Sequence, residues 1–129
     1  MATLHSLLAV LLLIAVSVKA HGGSKDVDAR DKGAQKALEF ALREYNKGSN
    51  DIYVNRVSKI HRVQKQTVTG IKYIIEVDIG RTECTKPTSN PEDCAFHTDP
   101  YISKTTFCHF EVISIPWLKQ NEMKESKCY

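Results

Sequence analysis

The chain has 129 residues, 42% of them hydrophobic and 26% charged, with a formal net charge of +3. That is one globular domain's worth of sequence, and its mild, interspersed charge lacks the basic stripe that nucleic-acid binders carry. Four cysteines, an even count, sit together in the last third at Cys84, Cys94, Cys108 and Cys128. In a small exported domain such a set reads as two disulfides with three pairings open.

The chain opens on Leu7 to Val16, ten apolar residues without a break, then Ser17-Val18-Lys19-Ala20. The run is shorter than the roughly 20 residues a bilayer span needs. Val18 and Ala20 fit the small-residue pattern of a signal-peptidase site, so 1–20 reads as a secretory signal and 21–129 as the domain. Cleavage after Ser17, with Ala15 three back, is the alternative. Removing Lys19 leaves 17 of the 18 Lys and Arg against 15 acids, net +2. A secreted, extracellular protein with no membrane segment of its own follows, and no Asn-x-Ser/Thr site is present.

His21-Gly22-Gly23-Ser24 is a flexible lead. From Asp26 to Asn46 the pattern is helical, with Ala34, Ala37, Leu38, Ala41, Leu42 and Tyr45 on one stripe. Asp26, Asp28 and Asp31 suit the positive end of a helix dipole, and Gly33 costs about 1 kcal/mol against alanine. Asn46 to Asp51 ends the helix. Ile52 to Lys65 reads as a bent strand. Ile71 to Ile79 alternates apolar and polar residues, Ile74 excepted, as a strand with one buried face does. Between the two, Gln66-Thr67-Val68-Thr69-Gly70 is a hairpin tip held in solvent, with glycine at the turn. Gly80 to Tyr101, with three prolines, is loop. Thr105 to Ile115 is a strand, Pro116-Trp117 breaks it, and Leu118 to Tyr129 returns. One helix and hairpin-joined strands make an α+β fold, an antiparallel sheet wrapped on one helix.

Catalytic chemistry is hard to find. Cys108 and His109 are neighbours in a strand and point to opposite faces, and a disulfide leaves Cys108 no thiolate. His21, His61, His97 and His109 lack zinc-ligand spacing and read as surface residues, so neither metal nor cofactor is expected. No phosphate-binding glycine loop occurs. A binding protein is the natural reading.

Taken in order, Gly22-Gly23 before one long helix, Gln66-Thr67-Val68-Thr69-Gly70, Pro116-Trp117 and four late cysteines resemble the secreted type 2 cystatins, inhibitors of papain-like cysteine proteases. The resemblance covers essentially the whole exported chain, including Ala37-Leu38-Glu39-Phe40-Ala41, Glu44-Tyr45-Asn46-Lys47 and Gly80-Arg81-Thr82. It implies a helix gripped by a five-stranded antiparallel sheet, the first strand lying beside Gly23, and the pairings Cys84–Cys94 and Cys108–Cys128. It implies no enzyme activity but an inhibitory wedge for cathepsin-type proteases, made by Gly22, by Gln66, Thr67, Val68, Thr69 and Gly70, and by Pro116 and Trp117. The family's central loop is usually more apolar where this chain has Thr67 and Thr69. Ser49-Asn50-Asp51 matches a motif through which some relatives inhibit legumain-type proteases. A monomer is the main expectation, and the sequence leaves open a dimer formed by exchange of the first hairpin. Two other readings compete. One is a cystatin-fold secreted protein without protease inhibition, of the reproductive-tract type; the other is a basic antimicrobial protein, for which +2 is too little charge.

Overall fold

A computed structural model describes residues 23–88 and 90–129. Residues 1–20, read from the sequence as a secretory signal, lie outside the described residues, as do His21 and Gly22. The chain forms β1 (Lys25–Asp26), α1 (Lys32–Gly48), β2 (Tyr53–Val68), β3 (Gly70–Thr85), β4 (Thr105–Ile115) and β5 (Gln120–Cys128), with single 3₁₀ turns at Pro91–Asp93 and Pro116–Leu118. The five strands make one antiparallel sheet in the order β1-β2-β3-β4-β5, and α1 packs across it. This is the α+β arrangement expected, a helix on a five-stranded sheet.

The helical stripe is the core's lid. Ala34, Ala37 and Ala41 are buried against Ile75, Val77 and Ile79 of β3 and Phe110 and Val112 of β4, while Leu38, Leu42 and Tyr45 flank them half-buried. Small side chains on α1 let the helix sit close to the sheet, and the alternation of β3 supplies the opposing wall. The bonds Cys84–Cys94 and Cys108–Cys128 follow the implied pairing. The second joins β4 to β5 at a register pair.

Several boundaries differ from the sequence reading. The helix starts at Lys32 rather than Asp26, because Lys25 and Asp26 pair with β2 and Asp31 takes the N-cap, its carboxylate accepting from the Ala34 N–H at 2.9 Å. Asp26 and Asp28 therefore do not serve the helix dipole; Asp28 instead accepts from Arg30. That exposed guanidinium holds the Asp28 carboxyl below its usual range. Strand β3 runs on to Thr85, so Gly80–Thr85 is strand and not loop. Its continuation is held by Thr82, whose buried hydroxyl donates to the Val54 carbonyl at 2.6 Å, and by a bridge from Thr82 to Phe96. The last strand starts at Gln120, because Pro116–Leu118 takes a helical turn and Lys119 closes it at φ 51°.

The described histidines, exposed His61 and half-buried His97 and His109, each have a side-chain partner. His61 meets Asp78 at 2.9 Å, and the ring of His97 stacks edge-on to Tyr53. On the sheet face away from α1, His109 lies between Glu111 (2.8 Å) and Glu76 (3.4 Å), with Glu125 at 4.0 Å. The bond to Glu111 leads in raising the His109 pKa, burial opposing it. Lys72, 2.7 Å from Glu111, and then His109 bring that carboxyl down to about 2. Among the described residues, His109, Glu111 and Glu125 are the group whose ligand-type atoms approach within 4.8 Å. Lys72 and Lys127 already pair with its two carboxylates. The signal for this cluster was period two on β4 and β5, which puts the register partners His109 and Lys127, and Glu111 and Glu125, on one face.

Gly33 is more than a weak point in the helix. A Cβ there would collide with the hydroxyl of Tyr73, a residue only 4% exposed. Burial, aided by the Asp31 charge, raises that phenol's pKa. Helix propensity alone makes Gly33→Ala stabilising by ~1 kcal/mol, but overpacking a core costs about 1–3 kcal/mol. The expected net result is a lower melting temperature for Gly33→Ala, by a few degrees. In a Tyr73→Phe background the loss should be smaller, since the hydroxyl is gone while ring carbon Cζ still stands 3.0 Å from the added Cβ. A higher melting temperature for Gly33→Ala in the native background would show that the Tyr73 contact is not limiting.

Candidate inhibitory edge

The registers of three hairpin partners decide where the predicted site residues go. Strand β2 runs out to Val68 and β3 starts at Gly70, with Val68 opposite Gly70 and Thr69 alone at the turn. Gln66 and Thr67 are thus paired strand residues, opposite Lys72 and Ile71, and the tip is tighter than a five-residue loop. Next to it, Ile71 pairs with Ser114 and Ile115 with Gln120, so the Pro116–Leu118 turn lies beside Thr69 at the same end of the sheet. Lys25 pairs with Lys65 in antiparallel sense, so the chain ahead of β1, residues 23 and 24, runs toward that end too.

Gly70 is not held out in solvent. It is buried, its φ is +103°, and an added Cβ would run into the Ser114 carbonyl oxygen and lie 3.3 Å from Ile115 Cγ1. Only glycine takes that backbone and that contact together. The first turn therefore leans directly on the strand that leads into the second. What remains exposed is apolar and compact: Val68 at 39%, Trp117 at 67% and Leu118 at 55%. Pro116 restricts the second turn, and Lys119, whose N–H donates to the Pro116 carbonyl at 3.1 Å, closes it. Leu118 was not singled out from the sequence, although an apolar residue directly after Pro116-Trp117 was a signal that could have found it.

Ser49, Asn50 and Asp51 are elsewhere. They lie between α1 and Tyr53, and Tyr53 is the partner of Thr85, so they sit at the opposite end of the β2–β3 hairpin from Thr69. Ser49 caps the helix, its N–H donating to the Tyr45 carbonyl at 2.9 Å. The Asp51 carboxylate accepts from the Tyr53 N–H at 3.0 Å and from Arg81 Nε at 2.8 Å. Burial would raise its pKa, but the hydrogen bonds from Arg81, Tyr53 and Asn55 outweigh it and hold the carboxyl below its usual range. Asn50 itself is exposed.

Among the described residues, neither end of the sheet presents an arrangement for bond-making chemistry. Both cysteines nearest a histidine, Cys94 and Cys108, are in disulfides. What the two turns offer instead is exposed apolar surface, from Val68, Trp117 and Leu118.

The cystatin domain family matches residues 22–117. The chain is 49% identical over 107 residues to a cystatin of Gallus gallus, covering 83% of this chain and 77% of that one. It is 43% identical over 122 residues to cystatin-2 of Crotalus adamanteus, covering 95% and 90%. The solved structure of dimeric human cystatin F superposes with a TM-score of 0.78 at 34% identity, over 84% of this chain and 87% of that one. With this fold, these two disulfides and these identities, the chain belongs to the cystatin family, as a type 2 cystatin, and so to a group of cysteine protease inhibitors rather than enzymes.

Proposed function

We propose that this protein is a secreted, reversible, tight-binding inhibitor of papain-like cysteine proteases of the cathepsin type, acting through a three-part wedge. Residues 1–20 direct export and 21–129 form the inhibitory domain. The wedge is made of the N-terminal segment at Gly22, the first hairpin with Gln66, Thr67, Val68, Thr69 and Gly70, and the second turn with Pro116 and Trp117. The observation that carries the reading is the convergence of the Thr69 turn and the Pro116–Leu118 turn on one edge, where Val68 and Trp117 are exposed. Apolar and aromatic side chains presented on stiff turns are the anchors binding surfaces use. Neither turn needs to offer a peptide bond for attack. With export ending at Ala20, His21 is the one residue ahead of Gly22, and affinity rests mainly on the two turns.

Titration of the purified protein against papain tests this. Stoichiometric loss of papain activity at sub-micromolar inhibitor is the expected result. An absence of inhibition at micromolar concentration would favour the alternative, a cystatin-fold secreted protein without protease inhibition.

A second reading concerns the other end of the sheet. Ser49-Asn50-Asp51 presents an exposed asparagine on a short loop braced on both sides, which suits inhibition of a legumain-type protease that cleaves after asparagine. The long β2–β3 hairpin also supports chain exchange into a dimer alongside the monomer; the human cystatin F structure is a dimer.

A further inference from the structure

The loop that carries Asn50 is braced by residues from distant parts of the chain, and Arg81 is the centre of the bracing. Its Nε donates to Asp51 Oδ2 at 2.8 Å, and its Nη1 donates to the Ile102 carbonyl at 2.6 Å. Its main-chain N–H donates to the Lys104 carbonyl at 3.0 Å, and its carbonyl accepts from the His97 N–H at 3.0 Å. One residue of β3 thus joins the post-helix loop to the segment before β4. The Arg81 and Asp51 side chains are only 23% and 15% exposed, so the pair is shielded from the screening that makes surface ion pairs weak.

The brace then passes to Asn50 from both sides. On the C-terminal side, Asp51 uses its main-chain N–H on Ser49 Oγ at 3.0 Å, one carboxylate oxygen on the Tyr53 N–H, and the other on Arg81 and Asn55 Nδ2. On the N-terminal side, Lys86 Nζ donates to the Ser49 carbonyl at 2.8 Å while the Lys86 N–H donates to the Ile52 carbonyl at 3.0 Å. The helix end is tied in as well, since Asn46 and the Asn55 backbone exchange two hydrogen bonds of 3.0 Å. None of these bonds uses the Asn50 side chain, which is left exposed on a four-residue loop, 49–52, with both of its neighbours anchored. Helix termination alone needs only the Ser49 cap and a turn-forming Asp51; it does not call for an arginine thirty residues on or a lysine from the end of β3.

We propose that Arg81 is a positioning residue for the Asn50 loop: by anchoring Asp51 to the segment before β4, it holds Asn50 in one presented conformation for an asparagine-cleaving protease. This rests on the reading of Ser49-Asn50-Asp51 as an element that inhibits such a protease. A presented loop that is already ordered binds without the entropy cost of ordering, and one anchored on both sides resists being drawn through the cleft as a substrate. Arginine is needed because its planar fork reaches a carboxylate and a carbonyl at once, which a single ammonium cannot do in the same geometry.

The experiment measures inhibition constants against legumain and papain for the native protein, Arg81→Met, Arg81→Lys and Asn50→Lys, with mass spectrometry of the inhibitor after incubation with legumain. Arg81→Met is expected to weaken legumain inhibition at least tenfold and to be cut after Asn50, while its papain inhibition stays within twofold of native. Arg81→Lys should fall between the two. A purely structural role would move both inhibition constants together, because papain would be bound at the far end of the sheet. Legumain inhibition within twofold of native in Arg81→Met, with Asn50→Lys abolishing it, overturns the role of Arg81 and leaves the Asn50 reading intact. If Arg81→Met loses papain inhibition through misfolding, Arg81→Lys is judged by the same twofold criterion. A native protein that does not inhibit legumain removes the Asn50 reading and this inference with it.

Discussion

Replacing Trp117 by alanine is expected to weaken papain-class inhibition more than tenfold and to leave the unfolding transition where it was. The indole is 67% exposed at the crest of a 3₁₀ turn and takes no part in the buried core, so truncating it removes nothing that folding needs. In a cleft the same ring would be desolvated on both faces. A buried aromatic anchor is worth roughly 2 kcal/mol or more on truncation, and about 1.4 kcal/mol is already a factor of ten. The loss should appear mainly in the dissociation rate, as changes within one interface usually do. Trp117→Phe should recover part of it. Inhibition constants for Trp117→Ala within threefold of native would remove Trp117 from the binding edge, and a shifted melting temperature would show that it packs somewhere unforeseen.

The fold was legible because its periods are strong. The stripe from Ala34 to Tyr45 and the alternation from Ile71 to Ile79 each point to one buried face, and the two faces meet in the structure. Failures cluster where tertiary pairing overrides local chemistry. Asp26 and Asp28 look like helix-start acids, but β1 needs Lys25 and Asp26 as partners for β2. Gly80 reads as the end of a strand because glycine is a breaker, yet β3 continues since Thr82 finds a buried partner in Val54. Neither partner is visible to a window of ten residues. The candidate edge divides the same way. Pro116-Trp117 and the turn at Thr69 follow from local residue types, whereas the Asp51–Arg81 pair spans thirty positions and the His109 cluster draws on three strands. Residue types marked the ends of the hairpins; only strand register brings two of those ends together.

Gly70 is the position at which that register brings the two turns into contact, and Gly70→Ala should be the more damaging substitution. The sequence suggested a tip in solvent, where a substitution would spare the fold and alter only contact with a protease. A buried glycine at φ +103°, with the Ser114 carbonyl where a Cβ would go, predicts something different. An L-residue at such a φ costs on the order of 1–3 kcal/mol, and the methyl group must also push the start of β3 away from the end of β4. The nearest relief is to open the sheet where Ile71 pairs with Ser114, which parts the Thr69 turn from the Pro116–Leu118 turn. Two anchors that enter one cleft together lose complementarity when their spacing changes, so the effect on binding should exceed the loss of either anchor alone. The expected outcome is a hundredfold or greater loss of papain inhibition with a melting temperature lowered by several degrees. Thr69→Ala, one residue earlier and exposed, should change inhibition less than tenfold and leave stability unaltered. The decisive comparison is Trp117→Ala with Gly70→Ala in a double-mutant cycle. If Gly70 acts by holding the two turns in register, the losses are strongly sub-additive, because a displaced second turn has already lost the benefit of its tryptophan. Additive losses would mean that the two turns bind independently and that the contact between Gly70 and Ser114 serves the fold alone.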